Sequence, residues 1–150
     1  MGSEMCIRDS IVGWAPPEWR LSGGALCPDW PWTTDSVDLL SPRLKEALDS
    51  NLTARDDVQW LPADVIDQAG SRREFWIPHF ATSHSVLDAH ETDWGPDGFP
   101  IRWVISEASA AGLAAFRIPG VGSTIVLRRD VFQRLPDDLI GIDAASARSV

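Results

Sequence analysis

The sequence predicts an α+β domain with a mainly antiparallel sheet and about two short amphipathic helices. Strand-like runs outnumber helical ones, and too few segments can serve as the crossover helices that cover a parallel sheet on both faces. Two β-rich runs, residues 114–118 and 123–127, flank a Pro-Gly-Val-Gly segment that is typical of a hairpin turn. A length of 150 residues suits one domain with one core.

Residues 1–10 are set apart from this domain. The segment from Glu4 to Ser10 resembles the translation of a transposon-end adapter used to prepare sequencing libraries, and such segments are excluded before a fold is considered. The domain is therefore predicted over residues 11–150. If the natural chain begins upstream of Ile11, its first element is missing from this sequence.

The first half of the domain is predicted to change from irregular structure to strand and helix. Residues 11–31 are rich in Trp, Pro and Gly, which favours irregular structure with one short strand at 19–21. Residues 36–40 resemble a strand. Ser41 then provides an N-cap hydroxyl before a proline, and apolar residues recur at helical spacing, which predicts a helix over 42–51.

Trp30 and Trp32 flank Pro31 in the irregular segment. Such residues suit either core packing or an aromatic recognition patch. Packing is the more frequent use, because large aromatic side chains dominate the energy of burial.

Two proline-containing strands are predicted in the middle of the chain. Residues 58–66 are strand-like but interrupted at Pro62, and residues 74–80 form a strand in which Pro78 indicates an edge or an end. A proline lacks the amide hydrogen that a central ladder uses. Residues 93–98 are rich in Asp, Gly and Pro and predict a loop.

The C-terminal third is predicted to carry the most regular elements. Residues 101–105 form a strand before the predicted hairpin at 114–118 and 123–127. Residues 129–135 place apolar side chains on one helical face, and residues 139–142 predict a final strand.

Composition excludes several functional classes. The formal net charge of -9, from 13 basic and 22 acidic residues, argues against nucleic-acid binding and favours solubility or a basic partner. No stretch approaches the roughly 18 to 20 apolar residues of a membrane helix, and no secretory signal is present, so we expect a cytoplasmic protein. Cys6 and Cys27 are too few for a disulfide framework, and they are expected to be free thiols.

Three histidines require a metal or acid–base site to be weighed. His79, His84 and His90 lie among several carboxylates, but a six-residue separation between the last two does not place them together on a helix or strand. The carboxylates at Asp88 and Glu91 fit a solvated loop. Because no nucleophile elbow, phosphate loop or dinucleotide motif is present, we expect no catalytic residues, no metal and no cofactor. A small metal-dependent hydrolase that uses this histidine region stays an alternative hypothesis.

The order of elements carries a family resemblance. It is formed by residues 39–48, 75–78 and 86–88 and by the closing run over 116–142. This pattern resembles immunity-protein family eleven of bacterial polymorphic toxin systems, long catalogued as a domain of unknown function. The similarity spans about residues 37–142 and consists of apolar patterning, and Arg128 stands where that family commonly has Ser. The resemblance implies an α+β fold, no enzymatic activity and neutralisation of a cognate toxin encoded nearby.

The binding hypothesis names three contact residues. Asp93, Trp94 and Asp97 place an aromatic side chain among carboxylates in a loop, which suits an anchor for a basic toxin. Trp94 packed on its own core is the competing interpretation. A scaffold domain of unknown role is a third possibility that the sequence does not separate from the first.

Overall fold

Antiparallel pairing dominates the strands of this fold. The computed structural model describes residues 10–22, 27–122 and 124–150. Within those ranges the elements are β1 (Glu18–Arg20), α1 (Pro42–Asp49), a 3-10 turn (Ala54–Asp56), β2 (Val58–Ile66), β3 (Arg72–Phe80), β4 (Asp93–Trp94), β5 (Pro100–Arg102), α2 (Glu107–Ala110), β6 (Ala115–Arg117), β7 (Ile125–Leu127) and α3 (Arg129–Gln133). The predicted α+β class is therefore confirmed.

The strands form three small sheets rather than one. The first has the order β1-β2-β3, with β1 parallel to β2 and β2 antiparallel to β3. The pairs β4–β5 and β6–β7 are separate antiparallel hairpins. The predicted hairpin near the C-terminus is thus confirmed, whereas short two-stranded sheets replace the expected extension of a single sheet.

Pro62 does not interrupt β2, which runs for nine residues. Asp64 donates its backbone N–H to Pro17 O at 3.0 Å, on the side of β1. Because backbone groups of alternate residues face the same edge, Pro62 also faces that side and needs no donor toward β3. Its carbonyl accepts a hydrogen bond from the indole N–H of Trp14 at 2.8 Å. The expected break is wrong because the proline lies in a register that leaves the β2–β3 ladder complete.

Pro78 lies on the outer side of β3, as its type predicts. Trp76, two residues earlier, pairs outward with Leu40 through two backbone hydrogen bonds of 2.8 Å each. Pro78 shares that orientation by alternation, so its missing N–H does not affect pairing with β2.

Residues 36–40 do not form the predicted strand beyond the single bridge at Leu40. Ser36 has a left-handed φ of 55°, and the hydroxyl of Thr33 bonds both the N–H and the carbonyl of Val37 at 2.8 Å. These local bonds satisfy the backbone in place of a ladder. Leu39 and Leu40 nevertheless point into different core clusters, so this segment joins the sheet to the helices.

Helix α1 begins where the sequence predicts and ends near the predicted position. Ser41 accepts a hydrogen bond from the Leu44 N–H at 3.1 Å, and the proline occupies the first helical turn. Leu44 and Leu48 are buried with Ala114 and Val131 in one core cluster. α1 also lies against β3, and Leu40 of the same cluster forms a bridge with Trp76 in that strand.

The chain after α3 is irregular, and the predicted strand at 139–142 is wrong. Gly141 has φ +83°, and a Cβ atom there would lie 3.0 Å from Trp30 O. Asp29 donates its backbone N–H to Ile140 O at 2.8 Å and accepts one from Ile140 N through Oδ2 at 2.9 Å. The segment therefore packs against the loop before α1 instead of joining a sheet.

Helix α2 was not predicted, because its four residues carry no apolar periodicity.

The buried carboxylate of Asp29 links residues 139–142 to the start of α1 by hydrogen bonds. Asp29 accepts hydrogen bonds from Ser41 Oγ at 2.6 Å, from Arg43 Nη2 at 2.8 Å and from the Ile140 N–H. Burial by itself raises the pKa of Asp29, but the hydrogen bonds from Arg43, Ser41 and Ile140 outweigh this and hold it below the ordinary value.

Asp29→Asn is expected to lower the free energy of unfolding by about 2 kcal/mol at pH 7, since Arg43 is half-exposed and partly screened. A carboxyl whose folded pKa is depressed stabilises the fold above its ordinary pKa of about 3.9 and loses this effect as pH falls through the folded value. Urea unfolding at pH 7 and below pH 3 checks this. The difference between wild type and variant shrinks at low pH, and a constant difference would contradict the assigned role of the charge.

Candidate functional site

The three histidines do not converge. His79 lies in β3 opposite Gln59, His84 Nε2 is 3.1 Å from Arg55 O, and His90 is exposed. Across the described ranges, no group of three or more His, Cys, Asp or Glu side chains is placed to hold a metal ion. The geometry therefore adds no support to the hydrolase alternative.

Two concavities in the described chain are open and lined by groups engaged in other contacts. Each has a volume of about 300 Å³. In one, Asp49 accepts the indole N–H of Trp60 at 2.8 Å. In the other, burial raises the pKa of the Cys27 thiol, which is free, while the nearby Asp29 is bound by Ser41 and Arg43. A thiol with a raised pKa is a poor nucleophile. Cys6 lies outside the described residues.

The hairpin β4–β5 carries the predicted contact residues. Asp93 and Trp94 form β4, so the expected loop over 93–98 is wrong at its first two positions and holds for the turn that follows. Gly95 donates to Phe99 O at 2.8 Å, and Gly98 donates to Gly95 O at 3.0 Å with φ +81°. A glycine tolerates this left-handed φ without the steric cost of a side chain.

A register shift in this hairpin exposes Ile101. Asp93 is opposite Arg102 whereas Trp94 is opposite Pro100, so Ile101 has no partner in the ladder. Such bulges bend a strand and redirect a side chain. Ile101 is 74% exposed, Phe99 56% and Trp94 46%. Trp94 is thus not packed into the core, although its indole N–H donates to Ala89 O at 3.3 Å. Trp94, Phe99 and Ile101, together with Asp97, are called the hairpin surface below.

The second hairpin supports the first. A Cβ atom on Gly120, in the turn between β6 and β7, would lie 2.3 Å from Phe99 Cδ1. The Phe99 ring therefore lies directly on the Gly120 backbone, and φ +78° there also favours glycine. This contact holds one side of Phe99 while the other stays exposed.

Carboxylates lie within the β4–β5 hairpin and in the segment just before it. Asp97 Oδ1 accepts from the Phe99 N–H at 3.2 Å and lies 2.8 Å from the position of a Cβ on Gly95, which Ile101 Cδ1 approaches to 3.6 Å. Asp93 forms an ion pair with Arg102 at 2.9 Å. Glu91 forms an ion pair with Arg148 at 3.2 Å.

Asp88 and Asp97 form no ion pair with a basic side chain in the described part of the chain. Asp88 accepts the N–H groups of Glu91 and His90 at 2.9 Å each, and these bonds hold its pKa below the ordinary value. Asp88 is therefore ionised at neutral pH, and negative charge near the surface is only partly compensated.

The sequence prediction found half of this surface. It named Trp94 and Asp97 because an aromatic residue and carboxylates share a turn-rich segment. Asp93 was named with them, but its charge is paired with Arg102. It missed Phe99 and Ile101, whose exposure depends on the bulge and on the contact with Gly120. The motif Gly-Phe-Pro-Ile at 98–101 was the available signal, since it places apolar residues immediately after a turn.

Neither a family model nor a curated protein matches this chain. In the part of the chain that the structure describes, no helix is long and apolar enough to cross a membrane. Without such a match, the resemblance to an immunity-protein family rests on the residue pattern alone.

Proposed function

We propose that this chain is a non-enzymatic immunity protein that binds and neutralises a cognate bacterial toxin in the cytoplasm. The observation that supports it most is the hairpin surface. Three large apolar side chains stay exposed there, on a β-hairpin that contacts the second hairpin at Gly120. Exposed apolar groups with a polar rim are typical of protein-binding sites. The resemblance of the sequence to immunity proteins supplies the class of partner.

The mechanism that follows is obstruction by binding. Trp94 and Phe99 act as anchors, because burial of a large aromatic side chain in a partner's pocket contributes most of the energy at such interfaces. The acidic surroundings accelerate association with a basic toxin. The support from Gly120 reduces the conformational freedom that Phe99 loses on binding.

The proposal is tested by co-expression with the product of the adjacent reading frame. Wild-type protein is expected to restore growth and to bind the toxin in titration calorimetry. Trp94→Ala is expected to weaken binding at least about 30-fold, because a central aromatic anchor contributes 2 kcal/mol or more. Measured Kd values check this.

Trp32→Ala is the matched control. Trp32 is 94% exposed on a different loop, so its replacement removes a larger exposed aromatic surface than Trp94→Ala without touching the hairpin. We expect it to bind like wild type. Failure of the wild type to bind or protect, or a loss of protection with Trp32→Ala but not with Trp94→Ala, would refute the proposed site.

A further inference from the structure

We infer that the backbone edge formed by residues 105–107 is a docking site for an extended, basic segment of a partner protein. Residues 148–150 of this chain occupy the site and compete with that partner. The site includes none of the residues of the hairpin surface, so the inference does not depend on the toxin-binding role proposed above.

A short extended segment around Ile105 is paired along one side. Ser106 donates its backbone N–H to Val86 O at 2.8 Å. Val104 O accepts the N–H of Asp88 at 2.8 Å. Backbone groups of successive residues point to opposite sides of an extended chain, so the N–H and carbonyl of Ile105 face the other side. That side is an edge, which can pair with one more extended segment.

Residues 148–150 fill this edge in parallel orientation. Ile105 donates its N–H to Arg148 O at 3.0 Å and accepts the N–H of Val150 at 2.9 Å. Glu107 donates its N–H to Val150 O at 2.8 Å. A series of backbone hydrogen bonds of this kind is how an extended peptide adds to the edge of a sheet. The chain itself therefore shows the orientation and register that the edge accepts.

Two carboxylates give the edge its preference for a basic segment. Glu91 Oε2 pairs with Arg148 Nη2 at 3.2 Å, and Glu107 Oε1 accepts the hydroxyl of Ser149 at 2.7 Å. Backbone pairing accepts almost any sequence, whereas side-chain contacts of this kind select one. The partner segment therefore carries Arg or Lys followed by Ser or Thr. An acidic residue in the first of these positions is repelled by Glu91.

Residues 148–150 are held weakly enough to be displaced. All three are exposed, and Val150 is 51% exposed, so little apolar burial stabilises their docking. No backbone hydrogen bond joins residues 143–147 to another described residue. Segments with exposed hydrogen bonds and few apolar contacts open at a low cost in free energy. The docked segment therefore raises the apparent Kd of a partner by the inverse of the open fraction, without excluding it.

The edge offers a partner one contact that residues 148–150 do not use. By alternation the Trp103 carbonyl faces the same side as Ile105, and it accepts no backbone hydrogen bond from a described residue. A partner segment can add this bond. The segment of a second copy has no such advantage, and at micromolar concentration it competes with a tethered segment whose effective concentration is on the order of millimolar. A separate protein is therefore the occupant that fits.

A peptide of residues 143–150, labelled at its N-terminus and amidated so that the Val150 carbonyl stays a plain acceptor, tests the inference. Fluorescence anisotropy measures its Kd for full-chain variants. Val150→Pro removes the N–H that bonds Ile105 O and opens the edge, so it is expected to bind the peptide at least about 10-fold more tightly than wild type. Ala145→Pro is the matched control, because residue 145 forms no backbone hydrogen bond with a described residue, and its Kd is expected to equal that of wild type within about 2-fold.

Modified peptides test the register and the charge on the Val150→Pro protein. N-methylation of Val150 in the peptide removes the ladder donor and is expected to weaken binding about 10-fold. N-methylation of Ser149 is the matched control, since that N–H faces away from Ile105, and we expect a change within about 2-fold. Arg148→Glu in the peptide is expected to raise the Kd about 5-fold at low salt. Lys-Thr-Ile in place of Arg-Ser-Val is expected to keep the Kd within about 5-fold.

Circular dichroism establishes that Val150→Pro is folded. If it is not, Arg148→Ala removes only the ion pair with Glu91 and is expected to bind the peptide about 3-fold more tightly than wild type. Equal binding by wild type and the opened variant, no binding to either, or equal weakening by the two N-methyl groups would overturn the inference. So would a wild-type dimer in sedimentation equilibrium that Val150→Pro abolishes, which would identify a second copy as the occupant. Loss of peptide binding when Trp94→Ala is added would place the peptide on the hairpin surface and contradict the assigned edge.

Discussion

Asp56→Ala is expected to lower the free energy of unfolding by about 3 to 5 kcal/mol, one of the two largest single effects expected in this chain. Asp56 is fully buried. Its Oδ2 accepts from the N–H and the hydroxyl of Thr53 at 2.6 and 3.1 Å, and its Oδ1 accepts from the N–H groups of Ala114 and Ala115 at 2.7 and 3.2 Å. The alanine variant leaves those donors buried without acceptors.

Urea unfolding followed by tryptophan fluorescence measures the Asp56 effect. Asp143→Ala removes an exposed carboxylate and is expected to change stability by less than about 0.5 kcal/mol. A loss below about 1 kcal/mol for Asp56→Ala would show that water replaces the carboxylate at little cost, which contradicts its role as the link between the 3-10 turn and β6.

Leu44→Ala is expected to destabilise the fold by about 3 kcal/mol. Leu44 is 1% exposed and packs with Leu40, Ala114 and Val131, so truncation combines lost apolar burial with a cavity. Alanine is the best helix former, and α1 itself is therefore not weakened. The effect reports how α1 packs in the core cluster that contains Leu40, Ala114 and Val131.

Glu46→Ala provides the control within the same helix. Glu46 is exposed, and we expect a change of less than about 0.5 kcal/mol in the same urea titrations. If Leu44→Ala and Glu46→Ala had the same free energy of unfolding, α1 would not pack against this core. A Leu44→Ala variant with a much lower m-value would instead report a change in the denatured or native ensemble.

Local chemistry explains why several elements were predictable. Ser41 and the following proline indicate a helix start within two residues. The Pro-Gly-Val-Gly segment indicates a turn between two β-rich runs. Trp94 and Asp97 were found in the same manner, because both lie in one turn-rich segment. Each signal is complete within a few neighbouring residues.

The wrongly predicted segments have backbone groups that bind side chains instead of a neighbouring strand. Residues 36–40 look like a strand, but Thr33 and the left-handed Ser36 satisfy their backbone locally. Residues 139–142 look like a strand, but the backbone of Ile140 binds Asp29, which is 111 positions away. A pattern of apolar and β-branched residues does not show which side chains will compete for these backbone groups.

The sequence by itself determined the α+β class, the start of α1, the C-terminal hairpin and the acidic, turn-rich segment around Trp94. Only the tertiary structure decided that the strands of the described residues form three sheets, that Asp56 is buried between the 3-10 turn and β6, and that Phe99 and Ile101 stay exposed on the hairpin that carries Trp94. The physical reason is the separation of the contacting residues along the sequence. Caps and turns are hydrogen-bonded between sequence neighbours, whereas the exposure of Phe99 depends on a contact with Gly120 in another hairpin.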